Sequence, residues 1–256
     1  MTSIQLSVTI ITYNEEKNIE RCINSVKEIA DEIVVVDSFS TDQTKAICER
    51  LRVKFLTHPF KGHIQQKNYA LDQARYNYIL ALDADEVLST ELKESILATK
   101  KNWVFDAYRF NRLTSYCGQW IRHCGWYPDT KLRLWDKRKG HWGGENPHDS
   151  VKMQPGATDN HLEGDLLHYS FHSVWDHAVT ANKFSEIASD EAIRKNRKTN
   201  ILIHVIINPV FTFVKKYFFQ AGFLDGYYGF VVCVLSAYSN FLKYSKIIDK
   251  RRRMAS

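Results

Sequence analysis

The chain has 256 residues, 44% of them hydrophobic and 25% charged, with a formal net charge of +6. That much apolar surface offsets chain entropy and excludes a disordered chain, while 11 Gly and 5 Pro exclude collagen-like and low-complexity architectures. The charge is uneven: residues 201–256 carry 8 Lys and Arg against 2 Asp and Glu, which is the whole excess, and they are also strongly apolar. Five widely spread cysteines form no C-x-x-C pair, which excludes a zinc ribbon or dithiol motif and fits a reducing compartment. The chain does not open on a basic segment followed by an apolar one, so a cleaved secretory leader is not expected.

Leu6–Thr12 is β-branched and mostly apolar and reads as a buried strand. Asn14 is placed to cap the next helix, in which Ile19, Cys22, Ile23 and Val26 share one face. Residues 32–36 read as a second strand, Ser40-Thr41-Asp42 as the start of a helix reaching Arg50, and residues 53–57 as a third strand. A helix over residues 63–74 follows, then a fourth strand over 78–82 that ends at Asp83-Ala84-Asp85. This alternation predicts a parallel sheet covered by helices, with ligands bound outside the carboxyl ends of its strands. Those ends carry Tyr13-Asn14-Glu15, Asp37-Ser38, His58 and Asp83-Ala84-Asp85.

Residues 100–175 change character. Two strands are expected, over 107–111 and 131–135, and the remainder, rich in aromatics and His, reads as irregular structure over a pocket. Residues 176–200 read as a polar helix. Two apolar helical stretches follow, over 201–214 and 226–242, and then the basic run 243–253.

The strongest chemical signal is Asp83-Ala84-Asp85. Two carboxylates at the end of a buried strand need partners, and a divalent cation with substrate phosphates supplies them. Asp37 closes the second strand, where an acid meets ribose or base groups or caps its own turn. Lys67, on a half-apolar helix, has the reach and charge for a diphosphate. His168 and His172 are four apart with no Glu beside them, and packed or capping histidines are the expectation for at least one. No G-x-G-x-x-G, G-x-x-x-x-G-K-[ST], G-x-S-x-G or H-E-x-x-H occurs, which argues against dinucleotide dehydrogenases, P-loop NTPases, serine hydrolases and zincins.

The runs TIITYNEE (9–16), VVVDSFSTDQT (34–44), QKNYA (66–70) and LDADE (82–86), in this order, resemble the family 2 inverting glycosyltransferases of GT-A fold. The runs GQWIRH (118–123), GWYPD (125–129), KLRLW (131–135) and PHD (147–149) resemble bacterial lipopolysaccharide core β-glucosyltransferases. In those relatives a His-Glu pair is expected where this chain has His148-Asp149. The resemblance implies an α/β chain, a Rossmann-like mixed sheet flanked by helices, with a C-terminal helical extension. It implies a donor half over residues 1–100, an acceptor half over 101–175 and a basic, membrane-associating helical region over 176–256.

By the same resemblance Thr12, Tyr13, Glu15 and Asp37 line the nucleoside pocket, Lys67 approaches the diphosphate, Asp83-Ala84 contact the donor, and Asp83 and Asp85 hold Mg²⁺ or Mn²⁺. An inverting displacement needs a base for the acceptor hydroxyl, and the candidates are Asp149, then His148, then Glu145. Trp120, Trp126, Tyr127 and Trp142 are candidate sugar-stacking faces, and Arg122, Lys131 and Arg133 candidate ligands for an anionic acceptor. The implied reaction moves a hexose from a nucleotide sugar, with UDP-glucose first and UDP-galactose or N-acetylhexosamine donors open, to a lipopolysaccharide core or related glycolipid. The alternatives are a nucleotide-sugar-forming nucleotidyltransferase, which would carry a Gly-rich basic loop after the first strand, and a non-catalytic membrane-surface module. No nucleic-acid partner is expected. The C-terminal helices, too short or too polar to span, are expected to dock on the cytoplasmic face of the inner membrane or to join two copies of the chain.

Overall fold

The computed structural model describes residues 3–145 and 148–255. The chain divides into two compact units: Met1–Arg112 with Asp129–Tyr169, and Leu113–Pro128 with Ser170–Ser256.

In the first unit β1 (Leu6–Thr12) leads to α1 (Ile19–Val26), β2 (Glu32–Asp37), α2 (Thr44–Arg50), β3 (Lys54–Thr57), α3 (His63–Gln73) and β4 (Tyr78–Asp83). Then come β5 (Glu86–Leu88), α4 (Thr90–Lys101) and β6 (Ala107–Tyr116), whose end passes with β7 (Gln119–Ile121) into the second unit; back in the first are β8 (Asp129–Asp136), β9 (Gly140–Glu145), β10 (His148–Met153) and β11 (Asp159–Phe171), the last two residues of which belong to the second. The sheet order is β3-β2-β1-β4-β8-β6-β11-β5, with β7 paired to the end of β6, while β9 and β10 form a separate hairpin. Strands β1 to β4 are parallel and β8 runs antiparallel to β4, which makes the sheet mixed. Register sets Ile11 against Asp83 and Thr12 against Asp37, so Thr12, Asp37 and Asp83 share one carboxyl edge.

The core forms because the apolar face of β1 (Leu6, Val8 and Ile10) and that of β4 (Leu80 and Leu82) must be covered. Ile19, Cys22, Ile23 and Val26 of α1 are fully buried against Leu6, Val8, Ile10, Leu80 and Leu82. Each such side chain contributes about 1.5–3 kcal/mol by leaving water. Ser89 caps α4 by accepting from Leu92 N at 3.2 Å. Gly164 in β11 lies so close to that helix start that a Cβ would sit 2.2 Å from Leu92 N, and its φ of +95° also favours glycine. This approach lets β11 pair with β5 and sets His168 opposite Glu86.

Residues 100–175 are therefore far more regular than the sequence suggested. Polar strands β7, β9, β10 and β11 stand where irregular structure was expected. In β9, β10 and β11 Gly, His and Asp interrupt the apolar alternation, and β7 is only three residues long, so the pairing partners decide the conformation.

In the second unit α5 (Val174–Arg194) precedes one continuous helix over Ile201–Phe219, in which π-helical turns (Ile201–Ile207 and Lys215–Phe219) flank α6 (Asn208–Val214). A 3₁₀ turn, Gly222–Asp225, then leads into α7 (Gly226–Ala255). The apolar helix is thus longer than the fourteen residues read from the sequence: Pro209 lies inside it, just past the π-helical turns Ile201–Ile207, and does not end it. Its 19 residues, with mean hydropathy 1.4, are long and apolar enough to cross a membrane by length and composition. The expectation that this stretch is too short to span is therefore corrected. Tyr116, Ile121, Cys124, Val232 and Cys233 form the unit's core, flanked by Trp126, Phe171, Phe213 and Tyr228. All five cysteines are free.

Candidate active site

Two loops build the carboxyl edge. After β1 the chain turns at Asn14, with φ 54°. Asn14 N donates to Ser40 Oγ at 2.8 Å, and Asn14 Oδ1 accepts from Thr41 N at 2.8 Å. Glu15 N donates to Thr44 Oγ1 at 2.9 Å and Glu16 N to Asp42 Oδ2 at 3.0 Å. Asn14 therefore ties the loops after β1 and β2 together and does not cap α1. Asp42 opens α2 as expected, accepting from Thr44 N at 3.0 Å. Asp37 is 2% exposed and caps its own turn, accepting from Ser40 N at 2.8 Å and from Ser40 Oγ.

Between the loops, Thr12 Oγ1 is buried without a hydrogen-bond partner among the described residues, and Tyr13 is 58% exposed. Burial pushes the Glu15 carboxyl up to about 7, against the hydrogen bond from Asn18 and with the help of the Asp85 charge. Ala84, expected against the donor, has its side chain in the core beneath the edge.

A ladder of alternating charges runs under the edge. Lys67 Nζ, on buried α3, lies 3.0 Å from Asp83 Oδ1 and 2.8 Å from Asp149 Oδ2 on β10. Arg133 on β8 reaches Asp83 Oδ2 at 3.0 Å and Glu86 Oε1 at 3.3 Å. Glu86, fully buried, also accepts from Asp83 N at 2.9 Å and pairs with Arg112 at 3.4 Å. Arg112 meets Asp129 at 2.8 Å, and Lys131 closes the ladder on Asp129 at 2.8 Å. Burial opposes ionisation of Asp83, but Lys67 and Arg133 prevail and hold its carboxyl well below the usual range.

These contacts correct two expectations. Both Asp83 oxygens face protein cations, so Asp83 is not an open metal ligand. Arg133 is 5% exposed and clamps Asp83 and Glu86, so it does not present itself to an acceptor. Lys131 is engaged by Asp129.

Asp85 is different. Its Oδ2 lies 3.2 Å from His168 Nε2, and its carbonyl accepts from Tyr169 N at 2.9 Å. The Arg21 guanidinium covers the Tyr169 ring at 3.7 Å. A carboxylate oxygen suits Mg²⁺ or Mn²⁺, and an imidazole nitrogen beside it favours Mn²⁺, when phosphate oxygens complete the shell. Among the described residues no group of three or more His, Cys, Asp or Glu side chains is placed to hold a metal alone. The donor set thus fits an ion shared with a substrate diphosphate. The sequence offered His168 only as one of two histidines expected to pack or cap and as part of the LHYS run (167–170), which resembles the same transferases; its pairing with Asp85 was missed because the two lie far apart in sequence.

The aromatic candidates separate. Trp142 is 3% exposed and lies under Lys67 and Arg133, at 4.5 and 5.1 Å from its ring centroid, with its edge against Trp135. It is a floor for the cations and not a sugar platform. Trp126 packs with Tyr116, Phe171 and His177 in the second unit's core, so it is structural as well. Trp120 and Tyr127 are half-buried there, and Arg122 is exposed with its guanidinium 5.7 Å from the Tyr127 ring centre. The side chains of His148 and Glu145, second and third as base candidates, lie outside the described residues.

Residues 7–151 match the model of glycosyl transferase family 2. The chain belongs to that family. Its mixed sheet is the GT-A arrangement that the four N-terminal runs implied, and membership sets aside a nucleotidyltransferase. An uncharacterized glycosyltransferase of Rickettsia bellii is 33% identical over 95% of this chain and 86% of its own length. The lipopolysaccharide core biosynthesis glycosyltransferase LpsC of Rhizobium meliloti is 28% identical over 96% of this chain and 93% of its own. Among solved structures, S. aureus TarS 1-349 in complex with UDP-GlcNAc has a TM-score of 0.49 at 16% identity, covering 98% of this chain and 92% of that one.

Proposed function

We propose that this family 2 glycosyltransferase is an inverting hexosyltransferase that moves glucose from UDP-glucose to a hydroxyl of a lipopolysaccharide core or related glycolipid. The reading puts the enzyme at the cytoplasmic face of the inner membrane as a peripheral protein. Residues 1–100 serve the donor and 101–175 the acceptor. The observation that carries it is Lys67 between Asp83 and Asp149: one buried cation joins a strand-end carboxylate to a second carboxylate on a separate hairpin.

Asp149 takes the proton of the attacking acceptor hydroxyl. Lys67 faces the departing diphosphate and offsets its growing negative charge. Arg133 and Glu86 position Asp83, and through it Lys67. Thr12 and Tyr13 offer a hydroxyl and an open ring to the nucleoside. Asp85 with His168 would hold Mg²⁺ or Mn²⁺, which supplies Lewis-acid stabilisation of the leaving group when bound.

The test is a thermal-shift panel of UDP, GDP, CDP and dTDP sugars with Mn²⁺, followed by hydrolysis of the best binder. A ligand at 100 times its Kd adds about 2.7 kcal/mol to apparent stability. UDP-glucose is expected to raise the Tm and to be hydrolysed slowly without acceptor. No shift and no hydrolysis with any sugar would overturn the reading.

A further inference from the structure

We infer that the outer face of the helix Ile201–Phe219 docks on an anionic lipid bilayer and lies in its plane. The inference deepens the glycolipid-acceptor reading, on which its functional sense rests.

The helix presents one apolar face at helical spacing: Leu202, Ile206, Val210, Phe211, Phe218 and Phe219 are 54–80% exposed. Its other face is taken by α7. Phe213 and Tyr217 lie 5.9 and 5.8 Å from Phe230, and His204 lies 4.8 Å from Tyr244. Thr212 Oγ1 accepts from Asn240 Nδ2 at 2.8 Å. The exposed stripe is therefore not the unsatisfied half of an internal contact. An apolar face of this extent marks a partner or a membrane.

Charge selects the membrane. Lys215 stands exposed within the stripe. The two carboxylates of residues 201–256 are both engaged: Asp225 is 6% exposed and accepts from His123 N at 2.8 Å, and Asp249 pairs with Arg253 at 2.9 Å. The stripe itself carries no carboxylate that would repel an anionic headgroup layer. A second copy would bring the same cations and no carboxylate from this face, so like charges would meet.

The packing selects the orientation. The inner face carries His204, Asn208, Thr212 and Lys216 at four-residue spacing, with Thr212 bonded to Asn240 and Lys216 Nζ donating to Cys124 O at 2.8 Å. A crossing helix would carry this polar seam into the hydrocarbon, whereas a helix lying in the interface keeps it on the water side.

Flotation with vesicles of equal parts phosphatidylethanolamine and phosphatidylglycerol tests this on the full chain. Wild type is expected to float, and to float less with phosphatidylcholine alone. The triple variant F211S/F218S/F219S should partition roughly 100-fold less, since three half-exposed rings leave the interface. UDP-glucose hydrolysis by that variant should match wild type, because none of the three lies in the donor machinery. Absence of flotation by wild type, or equal flotation by the variant, overturns the docking face. Resistance of bound protein to carbonate overturns the in-plane orientation. A concentration-dependent dimer that the variant abolishes, with no vesicle binding, assigns the face to a second copy instead and overturns the lipid. Flotation without any hydrolysis would leave docking standing and sink the enzymatic reading.

Discussion

Lys67 Nζ lies 2.8 Å from Asp149 Oδ2, so the proposed base and the proposed diphosphate ligand are ion-paired without substrate. Lys67 is 5% exposed and also meets Asp83 at 3.0 Å. Removing a buried cation from two carboxylates leaves uncompensated charge. Lys67→Met is expected to lower stability by about 2–3 kcal/mol in urea unfolding. It should also cut turnover, while Lys67→Arg restores stability more than activity. Unchanged unfolding of Lys67→Met would show that the pairs contribute nothing.

Asp149→Asn keeps size and removes basicity. Turnover should fall about 10²- to 10⁴-fold with donor affinity nearly constant. Steady-state kinetics with the acceptor and UDP titration separate the two. If His148→Ala is the dead variant and Asp149→Asn turns over normally, the base is His148.

Asp85 and His168 are 3.2 Å apart, and neither suffices alone for a divalent ion. EDTA is expected to abolish transfer and Mn²⁺ to restore it. Asp85→Ala should lose metal-dependent UDP binding altogether, and His168→Ala should need more Mn²⁺ for half-maximal activity. Full activity in EDTA would end the metal assignment.

Much of this edge was legible because it is local. The apolar runs of β1, β2 and β4, alternating with helices, pointed to parallel strands, and acids right after such runs must sit at their ends. The QKNYA run was legible only in its lysine. Gln66 Nε2 in fact donates to Ser38 Oγ at 3.1 Å, and Asn68 brackets the Trp142 backbone with bonds of 2.9 and 3.0 Å, fastening β9 to α3. Such contacts join distant segments, and no spacing within one run reveals them. Arg133 was misread for the same reason. In KLRLW it alternates with leucines as a surface residue does, and only the neighbouring strands bring Glu86 and Asp83 beneath it.

Glu15 titrates at about 7 in the folded chain and at its ordinary 4.5 when exposed. Between those values the folded state binds the extra proton. The stabilisation is therefore complete below pH 4.5, is lost as pH rises through 7 and is flat beyond. Glu15→Gln removes the dependence. Relative to wild type, the variant should gain up to about 3 kcal/mol between acid and alkaline conditions. Urea midpoints of both proteins across that range check this. Parallel curves would place Glu15 in water.

Arg133 separates a positioning role from an acceptor-binding one. Its Nη2 reaches Asp83 and Glu86 at 3.0 and 3.3 Å, while Nε and Nη1 are buried without hydrogen-bond partners among the described residues. Arg133→Ala leaves the fully buried Glu86 carboxylate with Arg112, at 3.4 Å, as its one cation among the described residues and deprives Asp83 of one of its two cations. Stability is expected to drop by about 3–5 kcal/mol. Arg133→Lys should recover only part of it, because a strongly hydrated ammonium costs more to bury than the weakly hydrated guanidinium. Turnover should fall with stability, since Asp83 loses the partner that fixes it beside Lys67, whereas acceptor KM should stay near wild type. A variant that keeps the wild-type Tm but shows a raised acceptor KM would return Arg133 to the acceptor and leave Asp83 held by Lys67 alone.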